Sequence, residues 1–273
     1  MRLCKTIRAR CCVIHLLLSL CFLFLMPYQA RADIIVTLPP LAGLVSLLDS
    51  HIEVSCLLAA GTDPHHVQLS PRQAEALQQA RLLIRTSMDD GDWTRLGSTA
   101  STLDLWPNTG HAWLSPRRVK AALPRLAVEL HRLYPGRREV IASGLRHAET
   151  ATEHMWIQWQ DTLMAFRTGG VIMQHAAWQG VMEAFGVPVL AVLESRHHGR
   201  EHGPHMLEHA LQMLKQHPQA TLIGDMRHNN RALEWLANHT GHRIIYLDAL
   251  GTCDMDWQAL MQANLKRLRG AIP

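Results

Sequence analysis

Four residues able to bind a metal ion stand in short, polar or glycine-marked segments of this 273-residue chain. They are His65 in Gly61-Thr62-Asp63-Pro64-His65-His66, His111 in Gly110-His111-Ala112-Trp113, His175 in Gln174-His175-Ala176-Ala177, and Asp248 in Leu247-Asp248-Ala249-Leu250. Three imidazoles and one carboxylate make a four-coordinate nitrogen and oxygen set that suits zinc, whereas manganese favours more oxygen. A single carboxylate leaves the site of a divalent ion cationic while lowering the cost of burying the metal. Imidazole ligates only when neutral, so such a site should weaken in acid. Asp225, in Gly224-Asp225-Met226, is a further carboxylate that could assist or replace Asp248. Taken singly, each of these histidines reads as an ordinary loop or hydrogen-bonded core residue. Their shared placement is what points to a metal.

That placement depends on the elements around them. Short apolar runs at 34–38, 54–58 and 82–85 alternate with helical patterns at 42–48 and 71–80, the rhythm of β-α-β units. A second series starts at Gly169, with strand-like runs at 171–173, 187–192, 220–223 and 243–247 and helical patterns at 205–216 and 231–239. Between the series, 136–166 has almost no helix breakers and carries apolar residues at Val140, Ile141, Leu145, Met155, Trp156, Trp159 and Leu163, which predicts one long helix. The expected fold is therefore α/β, with two lobes, each a mainly parallel sheet flanked by helices, joined by one long α-helix. The divisions fall at 1–32 for a leader, 33–134 and 169–273 for the lobes, and 135–168 for the connecting helix. Pro124, inside the helical pattern 115–133, predicts a kink there or a later helix start. Ligands of open α/β sheets gather outside the carboxyl ends of strands, and His65, His175 and Asp248 each follow a predicted strand.

Composition narrows the class of function. Arg2, Lys5, Arg8 and Arg10 precede an apolar run from Val13 to Met26, then Ala30-Arg31-Ala32, the order of a secretory signal peptide cleaved after Ala32. The run is too short for a convincing membrane span, and Cys21 lacks the small residue before it that a lipid anchor needs. Loss of five basic and no acidic residues takes the formal charge from +4 to −1. The mature chain has no basic stripe with interleaved aromatics, which excludes nucleic acid as a partner. Only Cys56 and Cys253 remain of six cysteines, read as two separate buried thiols, with one bridge the alternative.

At the same residues the chain is similar to the zinc-uptake (ZnuA-like, cluster A-I) solute-binding proteins of metal ABC transporters, over essentially the whole mature chain. The matching blocks are GTDPHHVQLSPRQAEALQQARLLI, HAWLSPRRV, VIMQHAAWQGVMEAFGVPVL and HRIIYLDALG. The resemblance implies metal ligands at His65, His111, His175 and Asp248. In this family a histidine at the third position goes with zinc and a glutamate with manganese, so Zn2+ is expected as the transported ligand ahead of Mn2+. It further implies a periplasmic monomer without a membrane anchor that serves an ABC permease and its cytoplasmic ATPase. The chain departs from the family pattern at Asn108-Thr109-Gly110, Ala176 and Ala249, and lacks the His-rich acidic loop that many zinc-specific members insert between the positions of Leu83 and His111.

A second histidine group, His197, His198, His202, His205 and His209, spaces two pairs by four residues. On a helix this brings both rings of a pair to one face. A solvated loop and helix start is the simpler reading, and an accessory zinc site the alternative. The chain is read as no enzyme. The rival functions are a periplasmic zinc chaperone or buffer and, further off, a zinc hydrolase, which would need an open metal position and a general base.

Overall fold

The computed structural model describes residues 32–58, 68–90, 101–194 and 204–272. Its described residues form two four-stranded parallel sheets. In the first sheet β1 (Ile34–Val36) lies between β2 (Val54–Cys56) and β3 (Leu82–Ser87), and β4 (Ser101–Trp106) forms the far edge. In the second, β5 (Val171–Met173) lies between β6 (Val189–Val192) and β7 (Thr221–Asp225), with β8 (Ile244–Leu247) at the edge. The two strand orders are thus the same, 2-1-3-4 and 6-5-7-8. β1 and β5 are buried at every residue, as the middle strands of parallel sheets covered on both faces must be, and this is why they read as unbroken apolar runs. In each sheet the chain reverses its direction of travel between the two inner strands, β1 and β3 or β5 and β7. A crevice opens at the carboxyl ends of the strands at such a point.

The expected two-lobe α/β fold with a long connecting helix is what forms. Helix α1 (Pro39–Leu48) and α2 (Pro71–Gln79) belong to the first lobe, and α3 (Pro116–Leu133) leads to the long α4 (Arg138–Leu163). At 26 residues α4 runs about 39 Å. It buries Ile141, Ala148, Thr152, Met155, Trp156, Trp159, Thr162 and Leu163, a stripe at helical spacing. The second lobe adds α5 (Gln179–Ala184), α6 (Pro204–Gln216), α7 (Arg231–Thr240) and α8 (Trp257–Arg269).

Three sequence expectations change. Helix α3 is continuous from Pro116, so it does not begin after Pro124, whose side chain is exposed and whose missing N–H therefore falls on the solvent side. Strand β4 and helix α8 were not expected at all. Cys56 and Cys253 are joined in a disulfide and are not two separate thiols. No helix among the described residues is long and apolar enough to cross a membrane.

The segment after β8 ties the lobes together. Trp113 Nε1 donates to the carbonyl of Ala249 at 2.7 Å, and Trp257 Nε1 donates to the carbonyl of Trp113 at 2.7 Å, all in buried surroundings. Gly43 of α1 lies so close to this segment that a Cβ there would stand 2.7 Å from the Trp257 nitrogen. One apolar core runs through both lobes, from Ile34 and Leu44 by way of Trp159 to Val171 and Leu265.

Gly144 of α4 meets α1 in the same way, because a Cβ at 144 would lie 2.0 Å from the carbonyl oxygen of Leu48. Alanine favours a helix by about 1 kcal/mol over glycine, but overpacking against backbone costs ~1–3 kcal/mol or more. Gly144→Ala is expected to lower the chemical-denaturation midpoint. A raised midpoint would mean that α1 is not pressed on α4 at this turn.

Candidate metal centre

The crevice between the lobes is built from strand ends. At the end of β3 the backbone turns through its last residue, Ser87, at φ 81°, where Asp90 Oδ2 accepts the Ser87 amide at 2.8 Å and Asp90 Oδ1 accepts the Thr86 hydroxyl at 2.9 Å. This turn delivers Asp89, which accepts the His111 amide on Oδ2 at 2.8 Å and lies 3.4 Å from His111 Nδ1 through Oδ1. His111 itself has φ 51°, in the left-handed region that histidine enters uncommonly. The conformation brings both its amide and its ring to the same carboxylate, and such outliers gather at functional sites.

From the opposite lobe His175 follows β5. Its Nε2 lies 3.2 Å from His111 Nε2, and its Nδ1 lies 3.4 Å from Glu194 Oε2, just beyond β6. Each ring thus turns Nδ1 to a carboxylate and Nε2 to the other ring. This is the arrangement by which proteins orient metal-binding histidines, a carboxylate fixing one nitrogen and freeing the other for the ion. Two nitrogens bound to a tetrahedral zinc at about 2.0–2.1 Å stand about 3.3 Å apart, close to the spacing found.

Two further residues join them from the end of β7 and the loop after it. His228 stacks on His175 with ring centres 4.2 Å apart and planes 12° apart, and its Nδ1 is also 3.4 Å from Glu194 Oε2. The ligand atoms of His175, Glu194 and His228 all fall within 4.8 Å of one another. Asp225 closes β7 and is 3% exposed. Its Oδ1 accepts the Arg227 amide at 2.8 Å, while Oδ2 has no hydrogen-bond partner among the described residues. Asn230 staples the loop, accepting the Asp225 amide at 3.0 Å and donating to the carbonyls of Asp225 and His228 at 2.7 and 2.9 Å.

The electrostatics are those of a buried acidic site facing imidazoles. Burial pushes the Asp89 carboxyl up to about 7. Burial also raises Asp225, against the opposing pull of His228. Burial works to raise Glu194 as well, but the hydrogen-bonding and charge of His175 and His228 outweigh it and hold that carboxyl down at about 2. Buried carboxylates of this kind are costly until a cation neutralises them, and their perturbation is a mark of functional sites.

Among the expected ligands, the structure brings His111 and His175 together. His65 lies outside the described residues. Asp248 does follow β8, but its Oδ1 accepts the amides of Leu250 and Gly251 at 3.0 and 2.9 Å, and its Oδ2 is 3.5 Å from the Arg227 guanidinium. Of the second histidine group, His205 and His209 are exposed on α6, and His197, His198 and His202 lie outside the described residues. The sequence reading missed Asp89, Glu194 and His228. Glu194 ends the apolar run of β6 and so carried the same strand-end signal as the others.

Two cavities meet here. A small one of about 10 Å3 is lined by Asp89, His111, His175, Asp225 and His228 together with apolar side chains such as Trp113 and Leu250. A wider one of about 440 Å3 shares Asp89, His111 and His175 with it and runs out past Asn108, Arg118 and Gln179. The small cavity has room for one water-sized particle or ion.

A family model described as "Zinc-uptake complex component A periplasmic" matches residues 34–271. None of the curated proteins matches the chain in sequence. Solved structures share the fold. A crystal structure of ZnuA is 19% identical with a TM-score of 0.75, covering 88% of this chain and 98% of that one. The laminin-binding protein Lmb of Streptococcus agalactiae, described as a bifunctional protein with adhesin and metal transporting activity, is 17% identical with a TM-score of 0.77, covering 88% and 99%. The solute-binding protein FpvC of Pseudomonas aeruginosa, solved in complex with Mn2+, is 20% identical with a TM-score of 0.73, covering 89% and 98%.

Proposed function

The chain belongs to the zinc-uptake complex component A family of periplasmic proteins, and from that premise we propose that it is an exported solute-binding protein that captures Zn2+ between its lobes and hands it to an ABC permease and its cytoplasmic ATPase. The leader at 1–32 directs export, and the mature protein works in the periplasm as a binding protein, not an enzyme. His111 and His175 hold the ion, one from each lobe, and His65 joins them from its own segment. The observation that carries this reading is the pair of Nε2 atoms 3.2 Å apart, each on a ring whose Nδ1 faces a buried carboxylate. A site rich in imidazole favours zinc over manganese. The tryptophan bonds, the disulfide and the long helix that hold the lobes together favour a modest closure of the mouth over a wide hinge motion.

The test is metal content and competitive affinity of residues 33–273 for Zn2+ against Mn2+, alongside His111→Ala. One zinc bound tightly, not displaced by excess manganese, and weakened in the variant by more than the ~10–100-fold that loss of a supporting partner costs is the expected result. Manganese preference, or binding indifferent to His111, would overturn the reading. Zinc uptake that survives deletion of the permease would replace an importer component with a zinc buffer.

A further inference from the structure

We infer that Trp113 is the positioning residue of the metal site. Through two buried hydrogen bonds it fastens the His111 segment of the first lobe to the connection between β8 and α8 of the second, so the fold itself sets the distance from His111 to His175. This rests on the reading that those two histidines hold the ion, and it names the residue that keeps them in register.

Three observations carry it. First, His111 and Trp113 share one tight turn. Residues Ala112–Leu114 form a single turn of 3-10 helix and are all buried, with the His111 carbonyl accepting the Leu114 amide at 3.1 Å. What holds Trp113 therefore holds the backbone of His111. Second, Trp113 is bonded to the second lobe by side chain and backbone alike. Its Nε1 donates to the Ala249 carbonyl at 2.7 Å, and its own carbonyl accepts from Trp257 Nε1 at 2.7 Å. A buried donor or acceptor that loses its partner is left with the cost of its desolvation, so the segment is not easily released from the second lobe. The indole ring also lines the small cavity beside His111, with ring centres 5.3 Å apart.

Third, the anchoring segment is itself held in the frame of the second lobe. Asn264 of α8 accepts the Asp248 amide at 2.8 Å and donates to the Asp248 carbonyl at 2.7 Å, which fixes the backbone just before Ala249. Arg227 donates to the Gly251 carbonyl at 3.0 Å and holds the same turn against the loop after β7. β8 pairs with β7 and β7 with β5, beyond whose end His175 stands. A continuous path of covalent and hydrogen bonds thus leads from His111 through Trp113, Ala249 and three strands to His175. No side-chain atom proposed to bind the metal takes part in it, so the path holds with or without an ion. Ligands must be kept within about 0.5 Å of their working geometry, and this frame does so for the pair whose Nε2 atoms lie 3.2 Å apart.

The experiment uses the full mature protein and four variants. Trp113→Phe removes the N–H and keeps an aromatic ring in the core, Trp257→Phe removes the other bond, Gly144→Ala is a destabilising change that leaves both bonds in place, and His111→Ala removes the ligand. Zinc affinity is measured by chelator competition, and the geometry around the ion by the visible absorption of Co2+ bound in place of zinc. Trp113→Phe is expected to lose about 10–100-fold in zinc affinity, the range for a group that supports a ligand. Its cobalt bands should shift and weaken, because a loosened His111 lets water into the shell of the ion. Trp257→Phe should move both readouts in the same direction, and carries the test should Trp113→Phe fail to fold. Gly144→Ala should move neither. Unchanged affinity and cobalt bands in Trp113→Phe, or the same changes in Gly144→Ala, would overturn the inference while leaving the His111 and His175 reading in place. Undiminished zinc binding in His111→Ala would instead remove that reading itself. Because the cobalt bands are read on protein that has bound the ion, a variant that merely folds less well does not imitate the expected result.

Discussion

His175→Ala should abolish tight metal binding and do more damage than any other single replacement in the site. His175 is the hub of the constellation. Its Nε2 meets His111 Nε2 at 3.2 Å, its Nδ1 meets Glu194, and its ring covers His228. Alanine removes a proposed ligand, takes from His111 its partner across the lobes, and leaves Glu194 with one imidazole where it had two. Loss of a supporting carboxylate costs about 10–100-fold in metal affinity, and loss of the ligand it supports should exceed that range. Glu194→Gln supplies the comparison, since it keeps both rings and removes only the charge that orients them. Titration calorimetry that returned similar affinities for the two variants would show that His175 acts by support alone. The site should also release its ion in acid. Each imidazole must be neutral to ligate, so the apparent affinity should fall by up to about one decade per pH unit for every imidazole engaged. A limiting slope near three would agree with His65, His111 and His175 acting together.

The fold was legible because parallel sheets declare themselves. Strands such as Ile34–Val36 and Val171–Met173 are buried throughout and read as apolar runs between helical stretches. β4 escaped because it is an edge strand with an exposed start, Ser101 and Thr102, and a charge at Asp104, which pairs with Arg85 of β3 at 2.7 Å. No apolar run marks such a strand. α8 was legible and passed over, for Trp257, Leu260, Met261, Leu265 and Leu268 recur at helical spacing behind an Asp256 cap.

In the site, spacing located residues at strand ends but could not orient them. His111 and His175 were placed by their segments, and the structure brings their rings together. Asp248 lies where a strand end puts it, yet its direction is set by Arg227 and by the amides of Leu250 and Gly251, contacts made in three dimensions. His228 sits three residues past the end of β7, and only the stapling of that loop by Asn230 brings it beside His175. No periodicity records such a contact. The two cysteines were the same kind of problem, since their pairing depends on how the lobes pack.

That pairing leads to the second large effect, on stability. Reduction of Cys56–Cys253, or their joint replacement by alanine, should lower the melting temperature by roughly 4–20 °C. Cys56 ends β2 in the first lobe and Cys253 stands between β8 and α8, so the bond closes a loop across a sequence separation of 197 residues. In the chain-entropy model a closure of this length restrains the unfolded chain by about 5 kcal/mol, and native disulfides commonly contribute ~2–5 kcal/mol. For a domain of this size each kcal/mol shifts the midpoint by about 2–4 °C. The consequence extends to the metal, because the bond joins the lobes that carry His111 and His175. With the bond opened, the tryptophan contacts to Ala249 and Trp257 and the packing at Gly43 remain to hold the lobes together. Zinc should therefore still bind the reduced protein and raise its melting temperature, through preferential binding to the folded state. Calorimetric scans of the oxidised and reduced forms, each with and without zinc, separate the contributions. A reduced protein that no longer responds to zinc would mean that the disulfide, and not the packing between the lobes, sets the spacing of the two histidines.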